Sequence, residues 1–384
     1  MTRPISIVAG ESIPYVEEAF STLGTITMLP GRSITSASLQ ATNVLLIRSI
    51  TKINETLLHD TPVEFVGSAS AGVDHIDTGY LQSRHIGFAS SPGSNANSVA
   101  EYVITALLTI AGRTHMTLSG KTIGIVGVGH IGKLVQHKAE ALGMKPILND
   151  PFLAETGDID HHSLDETLSC DIVTLHVPFT QNGPFPTHHL INSDTLACVH
   201  PSTIFINASR GEVVDTQALL DAITQNRIGP TVIDVWEHEP HIHWELVNAV
   251  TIGTPHIAGH SLDGKAMGTY MIYTALCQHI GVAPQWEPSD SLPSPSIPSI
   301  TVTPSNHSEE EDLRAITTKL YDLLADHARL KALLDEPPEK RATLFDGLRK
   351  HYPIRREFHR TIVKAPTAAA TLRRQLTALG FPHV

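Results

Sequence analysis

Cysteine is scarce in this chain. Three occur in 384 residues (Cys170, Cys198 and Cys277), far apart and odd in number, which argues against a disulfide framework or a zinc ribbon and for a reducing compartment. Long apolar runs are missing as well. The most apolar segment, residues 102–111, is about half a membrane span, and the apolar run ahead of Glu11 is too short for a signal peptide. A cytoplasmic location with no membrane partner is expected. Positive charge is in deficit: 27 Lys and Arg against 39 Asp and Glu give a net charge of −12, which disfavours nucleic-acid binding. The cations gather late, with ten Lys/Arg against two Asp/Glu in residues 340–384, so that this tail is +8 and the remainder −20. Histidine is plentiful at 23. Its pairs (His161 and His162, His188 and His189, His241 and His243) lack HExxH spacing and partner acids, and no metal site is expected.

The length predicts two or three domains. Short apolar runs at 5–8, 44–47, 64–68 and 86–89 read as strands, with helices at 13–23 and 54–59, a pattern of parallel strands covered on both faces. A long helix at 95–112 leads into a second such pattern. Its strands are expected just before Gly127 and at 146–148, 172–175, 204–206, 231–235 and 250–252, with helices at 133–142 and 216–224. A helix at 264–280 could return the chain to the first domain. Residues 284–308 have the Pro/Ser-rich composition of a linker. Ser308 and Glu311 then form a capping box opening a helix to 334 whose apolar stripe is Leu313, Ile316, Leu320, Leu323 and Leu324. A strand at 361–363 and a helix at 371–379 complete the chain. The expected fold class is α/β: two doubly wound parallel-sheet (Rossmann-like) domains plus a small C-terminal α+β module.

The strongest motif is Gly127-x-Gly129-x-x-Gly132, which follows an apolar strand and opens a helix. In a dinucleotide-binding βαβ unit the first glycine permits the turn, the second lets the backbone approach a pyrophosphate, and the third lets helix pack on strand. His130 and Ile131 lie in the first turn of that helix, where unpaired N–H groups face the phosphates. Asp150 ends the next strand, where a carboxylate accepts hydrogen bonds from the adenosine ribose and repels a 2′-phosphate. NAD is expected over NADP.

Three chemical groups follow successive predicted strands: Arg210, Glu239 and His256. A 2-hydroxy acid dehydrogenase needs a planar bidentate cation for the substrate carboxylate, a base titrating near neutrality for the hydroxyl proton, and a carboxylate that orients that base.

The strings Asn207-Ala-Ser-Arg-Gly211, Asp234-Val-Trp-Glu-x-Glu239-Pro240 and Thr254-Pro-His-Ile-Ala-Gly259, with the glycine loop, resemble the D-isomer-specific 2-hydroxy acid dehydrogenases. The strings beginning at Arg48, Phe65 and Ser261 place the chain nearest a branch acting on a phosphorylated C4 hydroxy acid. The resemblance implies that Arg210, Glu239 and His256 are catalytic. It implies that Val177, Asn207, Ala208, Ser209, Asp234 and Gly259 join the glycine loop and Asp150 in binding NAD. Ser49, Ser70 and His260 would contact substrate, with Arg48 a candidate for its phosphate. It also implies a substrate-binding domain (1–95 and 265–285), an NAD-binding domain (96–264) and a C-terminal dimerisation domain (286–384). A second copy of the chain covering the apolar stripe of the last module fits that role, so a homodimer is expected. Two positions depart from the family: His260 stands where Tyr is usual, and Val177 where Thr is common. Another D-2-hydroxy acid, such as phosphoglycerate or glycerate, stays open as substrate, and so does a non-catalytic NAD(H)-sensing role.

Overall fold

The computed structural model describes residues 5–302, 308–365 and 368–382. The chain forms two compact units, Met1–Asn95 with His260–Pro293, and Ala96–Gly259 with Ser294–Val384.

The first unit is built on a five-stranded parallel sheet in the order β2-β1-β3-β4-β5, where β1 is Ile5–Gly10, β2 Gly24–Leu29, β3 Val44–Ile47, β4 Phe65–Ser68 and β5 Gly87–Ala89. All four residues of β3 are buried, as a strand covered on both faces requires. One face packs on Phe20, Ile272, Tyr273 and Leu276; the other packs on Leu39, Ile53, Leu58 and Leu81. Strand β2 (Gly-Thr-Ile-Thr-Met-Leu) lies at the sheet edge and is half exposed. It has no continuous apolar run to announce it, and the sequence reading passed over it. The returning helix is Leu262–Ile280, capped by Ser261, whose side chain accepts from Gly264 N. This unit therefore resumes at His260 rather than at 265.

The second unit carries a six-stranded parallel sheet in the order β11-β10-β9-β8-β6-β7. Here β6 is Thr122–Val126, β7 Lys145–Asn149, β8 Ile172–Leu175, β9 Ile204–Asn207, β10 Thr231–Ile233 and β11 Ile252–Gly253. The strand order reverses at β6, which lies between β7 and β8. Ligands of open α/β sheets bind beyond the carboxyl ends of the strands at such a point.

The C-terminal residues are built into this second unit. Helix Glu309–Leu320 packs on Ala96–Thr114, Ala370–Leu379 on His130–Ala141, and Leu323–Lys331 beside β11. Two sequence expectations are corrected. The single helix from 309 to 334 is two helices, because Tyr321 is extended (φ −137°, ψ 97°) and Asp322 caps the second by accepting from Ala325 N. Most of the stripe is covered within the chain: Leu313, Ile316 and Leu323 are buried in one core with Val99, Val103, Leu107 and Ile110, and Leu320 packs against it, whereas Leu324 is 37% exposed. The Pro/Ser-rich segment is more than a tether. It contributes β12 (Ser299–Thr301), which pairs in parallel with β13 (Ile362–Lys364), and it contains a buried Trp286. Helix Pro338–Lys350 was not anticipated. Among the described residues, no helix is long and apolar enough to cross a membrane.

Candidate active site

Each glycine of the loop after β6 has a distinct environment. Gly127 has φ 91°, and a Cβ there would lie 2.8 Å from the His176 carbonyl; one on Gly132 would lie 2.1 Å from the Gly127 oxygen. Only glycine fits either place. A Cβ on Gly129 would meet nothing within 4 Å. That space adjoins the N-terminus of helix His130–Ala141, whose N-cap is Gly129, an end that favours an anion. Asp150, at the end of β7, ties the loop to the second strand: Oδ2 accepts from Val128 N at 2.9 Å and Oδ1 from Leu153 N at 3.2 Å. His176 and Val177 follow β8 beside Gly127. Burial drives the His176 imidazole down to about 3, so it is neutral at pH 7; Nε2 shares a 3.0 Å hydrogen bond with the Thr174 hydroxyl, and Nδ1 has no partner among the described residues.

The three chemical groups follow adjacent parallel strands: Arg210 after β9, Glu239 after β10 and His256 after β11. The structure brings two of them into contact. His256 Nδ1 lies 2.7 Å from Glu239 Oε2, and Glu239 Oε1 accepts from Trp236 N at 3.0 Å. Burial pushes the Glu239 carboxyl up, but the His256 ring, Arg349 and the Trp236 N–H together hold it below the usual carboxylate range. An ionised Glu239 can only accept, so the imidazole donates from Nδ1 and its Nε2 lone pair remains for a substrate proton.

The loop bearing His256 is held by Asp234, which is 1% exposed. Asp234 Oδ1 accepts from Ile257 N (2.8 Å) and the Thr254 hydroxyl (2.6 Å), and Oδ2 from Ala258 N (2.9 Å). Trp236 Nε1 donates to Thr254 O, and Tyr102 OH shares a hydrogen bond with Thr254 Oγ1. These bonds offset a strained backbone, since His256 sits at φ 56°, a conformation costing about 1–3 kcal/mol in a non-glycine residue. Asp234, which the resemblance carries to NAD, thus also fixes the loop that bears His256.

Arg210 has its Nη1 donating to Ser209 O at 2.7 Å. The turn before it is fixed by buried Asn207, which accepts from Ser209 N and Oγ and donates to Arg210 O. A Cβ on Gly211 would lie 2.0 Å from the Trp236 carbonyl carbon, so the Arg210 loop presses on the loop leading to Glu239. Ala208 and Ser209 are buried in that turn, whereas Gly259, three residues past His256, is half-buried.

In the first unit, Arg48 and Ser49 follow β3 and Ser70 follows β4. Ser70 Oγ is 2.7 Å from Ser68 Oγ, and Arg48 Nη1 donates to Ser12 O. His260 opens the returning segment of that unit.

Sequence reading missed one group of contacts entirely. Arg349 of helix Pro338–Lys350 places a guanidinium nitrogen 3.6 Å from Glu239 Oε2, and buried Arg355 donates to Ala258 O. No local signal could have found them, because each lies about a hundred residues from its partner. A cavity of about 910 Å³ in the same unit, lined by Gly112, His115, Glu140, Glu310, Arg314 and Gln375, shares no residue with the glycine loop or the His256–Glu239 pair. Among the described residues, no group of three or more His, Cys, Asp or Glu could hold a metal ion.

Residues 108–258 match the family described as D-isomer specific 2-hydroxyacid dehydrogenase, NAD binding domain. Residues 291–380 match a domain of unknown function (DUF3410). The chain is 43% identical over 380 residues to the erythronate-4-phosphate dehydrogenase of Cellvibrio japonicus, covering 98% of this chain and 99% of that one. It is 42% identical over 381 residues to the enzyme of the same name from Proteus mirabilis, with 98% and 99% covered. Among solved structures it is similar to the D-lactate dehydrogenase of Aquifex aeolicus complexed with NAD and lactic acid (TM-score 0.59, 24% identity, 72% of this chain and 96% of that one). It is also similar to the NAD-bound 3-phosphoglycerate dehydrogenase of Entamoeba histolytica (TM-score 0.62, 22% identity, 73% and 96%). Those two structures share its fold.

Proposed function

Because this chain belongs to the erythronate-4-phosphate dehydrogenase family, we propose that it oxidises C2 of 4-phospho-D-erythronate to 3-hydroxy-2-oxo-4-phosphooxybutanoate, a cytoplasmic step of pyridoxal 5′-phosphate synthesis. The chain is an NAD-dependent dehydrogenase by family. The observation that carries the chemical reading is the 2.7 Å contact of His256 with Glu239 in the unit that also holds the glycine loop.

NAD supplies the hydride acceptor when bound. The open space at Gly129, the N–H groups of His130, Ile131 and Gly132, and the Asp150 carboxylate suit its pyrophosphate and ribose. Val177, Asn207, Ala208, Ser209, Asp234 and Gly259 complete the proposed cofactor set. Arg210 holds the substrate carboxylate through its planar fork. His256 Nε2 takes the proton from the C2 hydroxyl as the C2 hydrogen departs with its electron pair, leaving a ketone. Glu239 keeps the ring oriented and stabilises the imidazolium that forms. The resemblance carries substrate contact onto Ser49, Ser70, Arg48 and His260.

The test is to incubate the purified chain with NAD and a panel of phosphorylated and plain C3 and C4 D-2-hydroxy acids while following NADH. The reading requires 4-phospho-D-erythronate to give the highest kcat/KM. His260, in place of the family tyrosine, keeps a second substrate in view, and preference for phosphoglycerate or glycerate would select it. No turnover of any 2-hydroxy acid would leave a non-catalytic NAD(H) sensor.

A homodimer through the residues after 286 is also proposed, without nucleic-acid or membrane partners. With most of the stripe covered in-chain, the large apolar side chains exposed in that segment among the described residues, Leu324 (37% exposed), Ile354 (72%) and Ile362 (43%), are the groups a second copy would bury. Light scattering should return twice the chain mass, and Ile354→Glu should lower it. A monomeric native chain would end the proposal.

A further inference from the structure

The C-terminal segment reaches the catalytic pair through one helix face. Arg341, Phe345 and Arg349 follow one another at intervals of four along helix Pro338–Lys350, and so project from one side. Arg341 stacks over Trp244 at 5.4 Å and donates to Leu334 O and Glu336 O. Phe345 is fully buried in the core that contains Trp236, Ile242 and Leu246. Those residues flank Glu239 in sequence. Two anchors thus fix the third position, and Arg349 arrives 3.6 Å from Glu239 Oε2, the oxygen that His256 Nδ1 contacts at 2.7 Å. Arg349 is itself largely buried, with 21% of its side chain exposed, and its Nε has no hydrogen-bond partner among the described residues. One turn past the helix, Arg355 holds the Ala258 carbonyl of the His256 loop.

We propose that Arg349 is a positioning residue for the dehydrogenase reaction: it holds Glu239 in place and, as a cation behind the carboxylate, sets how tightly the His256–Glu239 pair retains a proton. Among the described residues, the charged groups that bear on the pair include Asp234, which follows β10, Arg349 from the C-terminal helix, and Glu239 and His256 themselves. Arg349 draws on the negative charge of Glu239 and repels a proton arriving at His256. Without it the imidazolium is favoured. Oxidation needs neutral His256, so the acid limb of the kcat/KM profile moves to higher pH when Arg349 is neutralised.

The test is the pH dependence of NADH formation from 4-phospho-D-erythronate by full-length Arg349→Met, Arg349→Gln and Arg349→Lys, with NADH binding as the check on folding. The acid limb should rise by about 0.5–1 pH unit in the Met and Gln variants and stay near the native position in Lys. Unmoved limbs in both neutral variants overturn the proposal. A raised KM with an unmoved limb overturns it too, making Arg349 a substrate ligand, and loss of NADH binding in both neutral variants makes it a structural pin. The proposal rests on His256 being the base. His256→Asn separates the two failures, because a wrong base leaves that variant active whatever Arg349 does.

Discussion

His256 Nδ1 lies 2.7 Å from Glu239 Oε2, although the two residues belong to the loops after different strands, β11 and β10. In the proposed reaction the contact leaves Nε2 as the ring nitrogen for the substrate. Replacing His256 by Asn removes the base but keeps a side chain that can reach Glu239. Turnover should fall by about 10²–10⁴-fold with NADH affinity nearly unchanged. Fluorescence titration and steady-state kinetics on the same preparation decide this, and near-normal kcat would remove His256 from its role.

Arg210→Lys should also be poor. An ammonium keeps the charge but cannot reproduce a bidentate fork, so kcat/KM should fall while NADH binding holds. Equal kinetics would mean that another group holds the substrate carboxylate.

Asp150 is braced on both oxygens by backbone N–H groups, so it cannot easily swing away from a 2′-phosphate. NAD should be preferred strongly over NADP, and Asp150→Ser should narrow the preference. Comparable kcat/KM for the two cofactors in the native enzyme would dismiss this carboxylate as the ribose acceptor.

His260→Tyr restores the residue usual in the family. Activity on 4-phospho-D-erythronate should be kept or raised. A steep loss, together with native activity on a different hydroxy acid, would select the rival substrate.

The pH dependence of stability has an assignable contributor in His176. Its folded-state value is about 3, against about 6.5 when unfolded. Between these values the unfolded chain binds the extra proton, so stability is full above about 6.5 and falls with acid. Near pH 5 the loss through this group is about 2 kcal/mol. Guanidinium unfolding of His176→Gln should show a shallower decline from pH 7 to 5. Parallel declines in the two proteins would mean that the burial of this ring carries no such penalty.

Much of this was legible in the sequence, for physical reasons that differ by element. Strands such as Val44–Ile47 and Ile204–Asn207 are buried on both faces, so their apolar runs are continuous and easily seen. The glycine loop was legible because Gly127 and Gly132 answer to sterics that no other residue satisfies. Strand Gly24–Leu29 was not, since an edge strand need not be uniformly apolar. Residues 309–334 misled because the helical period continues through Tyr321, whereas the break coincides with long-range contacts of that buried ring with Tyr102 and Arg355, which no local pattern records. Arg349 was read as part of a basic tail, because net charge records composition and not destination.

The shared core of the second unit runs from Val99 to Phe381, and this sets an order of events during synthesis. Helices Ala96–Thr114 and His130–Ala141 leave the ribosome long before Leu372, Leu376 and Leu379, the side chains that complete the core against the second of them. Until those emerge, the nascent nucleotide unit carries an oily, uncovered flank of the kind that chaperones bind. Pulse proteolysis of ribosome-arrested chains should therefore find this unit sensitive when residues 370–381 are still in the exit tunnel, and protected once they are released. Full protection of the shorter chains would mean that the unit closes without its last segment.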